Sequence, residues 1–346
     1  MKRAGLVLAA ALALAGCGRA APPGVTELVY ASPYSPRHPF SRADQAWMKF
    51  VEQRSGGRIR IRPNWSGGLL SSEESMTELR HGVADIGLVT PIYVKGGAHL
   101  LRTQTGLYSG VRAIEDQVAL YRCMAATSPQ IQGELAGLHI LAVQGGVLPG
   151  IVTRDRPVRS IADLRGLRIR APGELLPVLR ELGADPVNMP MGDVYSAMAK
   201  GVIDGVIAPE DTFKSLHLAE IAKHFASLDI PRGAYPARAI SDKRWAELSP
   251  EVRQVLSEGT AVWEAALADE NRREQEAGRK LAAEEGVAFT TIPAADQARF
   301  AQVYTRDTLR NVEKLQRLGI DGMPTARLAA ASIGPGGRVA CRGTIA

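Results

Sequence analysis

Apolar positions along the chain switch between two spacings, a period of two that marks strands and a period near 3.6 that marks helices. The clearest alternation lies between Pro157 and Pro209. Leu167-Arg168-Ile169-Arg170 alternates apolar and basic side chains and predicts a short strand. Pro172-Gly173 ends it and opens a helix with apolar positions at Leu175, Leu176, Val178, Leu179 and Leu182, stopped by Gly183. Pro186 to Met189 reads as a second strand. Asp193, favoured near a helix N-terminus, starts a second helix that closes at Gly201, and Val202 to Ile207 is a third strand. Strand, helix, strand, helix, strand with short connectors predicts a right-handed parallel α/β unit with a ligand crevice beyond its strand ends.

The same grammar covers the N-terminal half. Glu27 to Ala31 is a strand, and Ser32 to Phe40, with three prolines, predicts an irregular loop. Ser41 or Asp44 is the expected cap of a helix carrying Trp47, Phe50 and Val51, which Gly56-Gly57 ends. Arg58 to Arg62 alternates, with Ile59 and Ile61 inward. The loop Asn64 to Gly68 leads into a helix expected from Ser71 or Ser72, carrying Glu73, Met76 and Leu79, and Asp85 to Val89 is the next strand. After the loop-rich Thr90 to Gly110 come a helix near Arg112 to Ala126 and a strand, Leu138 to Val143. Gln144-Gly145-Gly146 reads as a crossing between lobes.

Beyond Pro209 a helix carries Phe213, Leu216 and Leu218, and Pro231 to Ile240 reads as the return to the first lobe. Glu251 to Glu285, rich in Ala, Glu and Arg, predicts one long helix, and its irregular apolar spacing argues against a coiled coil. A last helix runs from Ala294 to Leu318. The expected divisions are lobe I at 27–149 with a return segment at 236–290, lobe II at 150–235 with a C-terminal helix at 291–318, and a tail at 319–346 expected to lack order beyond Gly334.

Composition narrows the classes. Lys2 and Arg3 precede an apolar run, Ala4 to Ala15, that is too short to cross a bilayer and ends in Leu14-Ala15-Gly16-Cys17. This reads as a lipoprotein signal at 1–16, with Cys17 as the lipid-bearing residue and 17–26 as a tether. Removing Lys2 and Arg3 takes the basic residues from 42 to 40 against 36 acidic ones, an excess of +4 that is too mild to imply nucleic acid. The six histidines show no metal-ligand spacing; His217 and His224 are seven apart. No serine elbow, zinc spacing or paired-carboxylate motif points to catalysis, and nothing calls for a cofactor. Cys123 and Cys341 are free to pair in an oxidising compartment, but sequence alone does not join them.

Longer motifs carry a resemblance. Asp163-Leu-Arg-Gly-Leu-Arg-Ile-Arg170-Ala-Pro172, Leu182-Gly-Ala184, Pro190-Met-Gly-Asp-Val-Tyr-Ser-Ala-Met198 and Gly201-Val-Ile-Asp-Gly205 are similar to the solute-binding proteins of tripartite ATP-independent periplasmic (TRAP) transporters, DctP type. Arg80-His-Gly-Val-Ala-Asp-Ile-Gly87 and Trp245-Ala-Glu-Leu-Ser-Pro250 extend the likeness across the chain. The resemblance implies an α/β, two-lobed periplasmic binding protein fold (type II-like) with a long helix spanning both lobes. It implies capture of an organic acid and delivery to an ion-driven permease of small and large membrane subunits. A ligand-binding subunit of a sensor system and an enzyme on the same fold are the alternatives.

In that family the arginine at the place of Arg170 grips the ligand carboxylate, and a guanidinium fixed at a strand end makes a rigid two-pronged donor. Arg168 shares its strand face, and an arginine there can equally be a solvated edge residue. Further contacts expected from the family's geometry are Tyr34 and His38 in the first loop, Trp65 in the glycine loop, Glu73 after it, Gln144 at the crossing, and Glu210 and Phe213 beyond the third strand. Two departures make the pocket less polar. Gly150 or Ile151 stands where many relatives have a second arginine, and Val206-Ile207-Ala208 stands where sialic-acid-type members have polar residues. The expected ligand is therefore a monocarboxylate with an apolar or aromatic body.

Overall fold

The computed structural model describes residues 24–342 of the 346-residue chain. The expected leader, Cys17 and most of the expected tether lie outside the described residues. Ten strands follow in order: β1 (Thr26–Ala31), β2 (Ile59–Asn64), β3 (Ile86–Leu88), β4 (Leu138–Gln144), β5 (Gly150–Thr153), β6 (Ile169–Arg170), β7 (Gly205–Ala208), β8 (His224–Ser227), β9 (Tyr235–Ser241) and β10 (Ala288–Thr291). They form two five-stranded sheets, β2-β1-β3-β9-β4 in lobe I and β10-β8-β5-β7-β6 in lobe II.

Lobe II is built around the unit expected from sequence, except that Pro186 to Met189 forms no strand and contributes a single bridge at Val187. β6 runs parallel to β7, with Arg170 opposite Val206, and Arg170 also bridges in parallel to Val187 on its other side. β5 enters antiparallel between β7 and β8, placing Gly150 opposite Ala208. The chain passes between sheets at 145–149 and at 228–234, because β4 and β9 pair with each other in lobe I while β5 and β8 pair in lobe II.

The helix Pro250–Glu284 spans both lobes. Its first half buries Val255, Leu256, Trp263 and Leu267 in the lobe I core, where Trp263 stacks on Trp47 at 3.8 Å. Its far end buries Ala282 against the lobe II core of Phe213, Ala222 and Phe225. Two glycines seat the lobes on this helix. A Cβ at Gly259 would lie 2.7 Å from Trp47 Nε1, and one at Gly278 would lie 2.2 Å from the Glu210 carbonyl oxygen.

Several boundaries differ from the sequence reading. The first helix is Pro39–Arg54, capped by His38, whose Nδ1 accepts from Phe40 N at 3.3 Å. Proline is tolerated at the first helical position because its missing N–H would have no partner there, so the helix starts inside the proline loop. Asp44 is instead buried within it. The helix after the glycine loop begins only at Ser75, leaving Glu73 in the turn before it. β10 belongs to the lobe II sheet, so the crossing out of lobe I occurs within the long helix and not after it. The helix Ala294–Lys314 likewise touches both cores, with Phe300 and Tyr304 in lobe II and Val312 in lobe I.

The tail departs most. Met323–Ser332 is helical and buries Ala326, Leu328 and Ala329 in the lobe I core with Leu120 and Met124. Ile333 bridges to Val339, Val339 N donates to Asp116 Oδ1 at 2.9 Å, and Cys341 is disulfide-bonded to Cys123. The bond closes a sequence separation of 218 residues, so most of the chain lies inside the loop. Cross-links of this kind contribute about 2–4 kcal/mol, chiefly by restricting the unfolded chain. Thermal melts with and without reductant should show a lower Tm on reduction, and Cys341→Ser should lower it equally; an unmoved Tm would count against a stabilising role.

Candidate functional site

Between the lobes lies a cleft enclosing about 1150 Å³ of empty space, part of it open to solvent. Arg170 enters it from the end of β6 and is only 3 % exposed. Its Nε donates to the Met189 carbonyl at 2.8 Å and its Nη2 to the Tyr93 hydroxyl at 3.0 Å. Tyr93 belongs to lobe I, so this hydrogen bond crosses the cleft. No carboxylate of the described residues forms an ion pair with Arg170, and Nη1 is left for another acceptor. Arg168, two residues earlier, is instead paired with Asp204 at 2.6 Å on the outer edge. Arg168 lies just before β6 and turns to solvent, so it does not share the face of Arg170 as the alternation predicts.

Tyr34 and His38 also line the cavity, stacked on each other at 4.1 Å. Burial, assisted by the charges of Arg42 and Arg238, pushes the His38 imidazole down to about 3, so it is neutral at physiological pH. Burial raises the Tyr34 phenol as well. The five other residues expected at the site do not line the cavity. Trp65 packs edge-on against Tyr30, Glu73 pairs with Lys95 at 2.8 Å, and Gln144 is fully buried and accepts from Arg238 Nη1 at 2.9 Å. Glu210 pairs with Arg279 at 3.0 Å, and Phe213 is core, packed against Phe225 and Phe289.

The cavity instead recruits Tyr93, Glu174, Asp211, Arg232 and Tyr235, which the sequence reading did not name as contacts. Their positions follow from crossing segments and strand ends and have no local motif, although Arg232 falls in the return segment beginning at Pro231. Burial holds the Glu174 carboxyl above its ordinary value, against the pull of a hydrogen bond from Thr105 and the charges of Arg170 and Arg102. Apolar lining comes from Phe40, Ile92, Leu101, Leu175, Ile207 and Ile230. At Gly150 a Cβ would lie 2.4 Å from the Phe225 ring, so no side chain fits without repacking.

Asp211 is a second perturbed acid of the cleft. Burial raises its carboxyl to about 6, Glu274 on the long helix adds to the rise, and Arg232 and the Ser215 hydroxyl oppose it. A carboxyl raised on folding binds a proton more readily folded than unfolded between about pH 4 and 6. Stability therefore falls as pH rises through that window and stays lower above it. Asp211→Asn should raise the Tm relative to the natural protein above pH 6, by an amount corresponding to about 3 kcal/mol at most, and should give no gain near pH 4. Parallel melts of the two proteins across pH would test this, and a pH-independent difference would refute it.

A cleft between two α/β lobes, with a buried guanidinium that no acid of the described residues pairs with, is the architecture expected of a solute-binding protein. The chain belongs to the bacterial extracellular solute-binding protein family 7, DctP, whose family model matches residues 30–314. A curated solute-binding protein of Albidiferax ferrireducens is 27% identical over 181 residues, covering 50% of this chain and 51% of that one. The matched segment thus spans about half the length of that relative. A TRAP solute-binding protein of Rhodoferax ferrireducens, solved with copurified benzoate, superposes with a TM-score of 0.79 at 22% identity, covering 89% of this chain and 97% of that one. A TRAP periplasmic solute-binding protein of Bordetella bronchiseptica with bound mandelate gives a TM-score of 0.77 at 20% identity, covering 88% and 98%. Among the described residues no helix is long and apolar enough to cross a membrane.

Proposed function

We propose that this protein captures an organic monocarboxylate with an apolar or aromatic body and delivers it to an ion-driven TRAP permease of small and large membrane subunits, tethered to the membrane through lipid on Cys17. The observation that carries the reading is Arg170, a buried guanidinium facing the cleft that no carboxylate of the described residues pairs with. Burying a charge without a counter-ion is costly, and an incoming carboxylate relieves that cost. Ile207, Leu101 and Leu175 along the cavity favour an apolar body over a sugar acid. The benzoate and mandelate held by two proteins of the same fold agree with that body. Binding draws the lobes together because contacts to both exist only around the enclosed ligand.

Thermal-shift screening against aromatic monocarboxylates, aliphatic dicarboxylates and sugar acids tests the reading. A ligand present at 100 times its Kd stabilises the folded form by about 2.7 kcal/mol. Aromatic monocarboxylates are expected to give the largest rises in Tm. Shifts confined to dicarboxylates or sugar acids would overturn the ligand class, and no shift with any organic acid would overturn the function. Loss of membrane association on Cys17→Ser tests the anchor.

A further inference from the structure

The cavity has a second polar corner that the Arg170 anchor does not use. Asp211 reaches it from the loop after β7, where the bare backbone of Gly278 lets the Glu210–Asp211 segment come against the long helix. The Asp211 side chain belongs to a residue 9 % exposed; its Oδ2 accepts from the Ser215 hydroxyl at 3.2 Å, while Oδ1 is buried with no hydrogen-bond partner. Arg232 borders the same cavity from the crossing at 228–234. It lies over Gly146, where a Cβ would sit 2.4 Å from its guanidinium carbon, and donates through Nη1 to the Val147 carbonyl at 3.3 Å. Its charge acts on Asp211, yet no ion pair joins the two among the described residues. An acid with a buried, unpaired oxygen and a guanidinium that no carboxylate of the described residues pairs with thus line one cavity.

We infer that Asp211 and Arg232 form a second subsite that takes a hydroxyl group of the ligand, which makes the ligand class a hydroxylated organic monocarboxylate. The inference rests on the carboxylate reading of Arg170. A hydroxyl donates one hydrogen bond and accepts others, so it satisfies Asp211 Oδ1 and an Arg232 donor together. A second carboxylate would gain Arg232 but meet the like charge of Asp211. An ammonium would gain Asp211 but meet Arg232. A plain hydrocarbon edge would leave Oδ1 buried and unpaired, and sites built to hydrogen-bond a hydroxyl reject analogues that lack one.

Calorimetry with matched probes decides it: benzoate against 3-hydroxybenzoate, phenylacetate against mandelate, and isophthalate as the dicarboxylate. In at least one pair the hydroxylated acid should bind about tenfold or more tightly than its plain partner, with isophthalate weaker than that hydroxylated acid. Asp211→Leu and Arg232→Leu should each bring the ratio within that pair to about one. Equal affinities in both pairs, or a hydroxyl preference that survives both substitutions, would overturn the subsite and leave the Arg170 anchor standing. Should the substituted proteins not fold, the ranking in the natural protein decides, and isophthalate binding as tightly as the hydroxylated acids overturns the subsite. Absence of binding by any probe overturns the anchor and the subsite together.

Discussion

Arg170→Ala is expected to weaken ligand binding by about 10- to 150-fold, the equivalent of the 1.5–3 kcal/mol carried by hydrogen bonds to a charged group. The substitution removes the donors that meet the ligand carboxylate and also frees the Tyr93 hydroxyl from its partner across the cleft. Arg170→Lys should recover only part of the loss. An ammonium keeps the charge but cannot present two parallel donors while holding the Met189 carbonyl, as the guanidinium does through Nε. Isothermal calorimetry with the best organic acid from the screen measures both variants. Affinity for that acid unchanged in Arg170→Ala would remove Arg170 from the site.

The largest loss of stability is expected from Asp44→Ala. Arg238 is fully buried, with Nε 2.8 Å from Asp44 Oδ1, and Asp44 also accepts from Tyr30 and Trp263. Burial opposes the charge on Arg238, and Asp44 and Tyr30 more than restore it. Removing Asp44 leaves that guanidinium uncompensated in a dry core, which costs about 3–5 kcal/mol. The Tm should fall by about 5–7 °C. Because much of the cost is an orphaned charge, the double variant Asp44→Ala, Arg238→Met should be more stable than Asp44→Ala alone. A single variant melting at the natural temperature would show that the pair is dispensable.

The buried pair also marks where sequence reasoning reached its limit. Helix ends were readable, because Gly183 and Gly201 were expected to stop helices and each has positive φ, which costs a residue with a Cβ more than it costs glycine. The α/β unit was readable from periodicity, the long helix from its Ala, Glu and Arg content, and the place of Arg170 in the cleft from an extended motif around it. Partner choice across the chain was not. Gln144 sits at the crossing as expected, but Arg238 on the neighbouring strand claims its side-chain oxygen. Glu210 is close in sequence to the cavity residue Asp211, yet Arg279 on the long helix takes it. Which carboxylate stays free depends on contacts made some seventy residues away, and no local pattern records them. Composition misled for the tail, since Gly, Ala and Pro gave no hint that Met323–Ser332 would find the lobe I core or that Cys341 would meet Cys123.

The glycine seats at 259 and 278 make the long helix a ruler as well as a bridge. They lie nineteen residues apart, about 28 Å of axis at the usual rise. Each residue added or removed between them would swing one lobe about 100° around the rod relative to the other. Both lobes would keep their own sheets and cores, but Arg170 and Tyr93 would no longer face each other. The count of residues between the two seats, more than any contact within the cleft, is what brings the jaws into register.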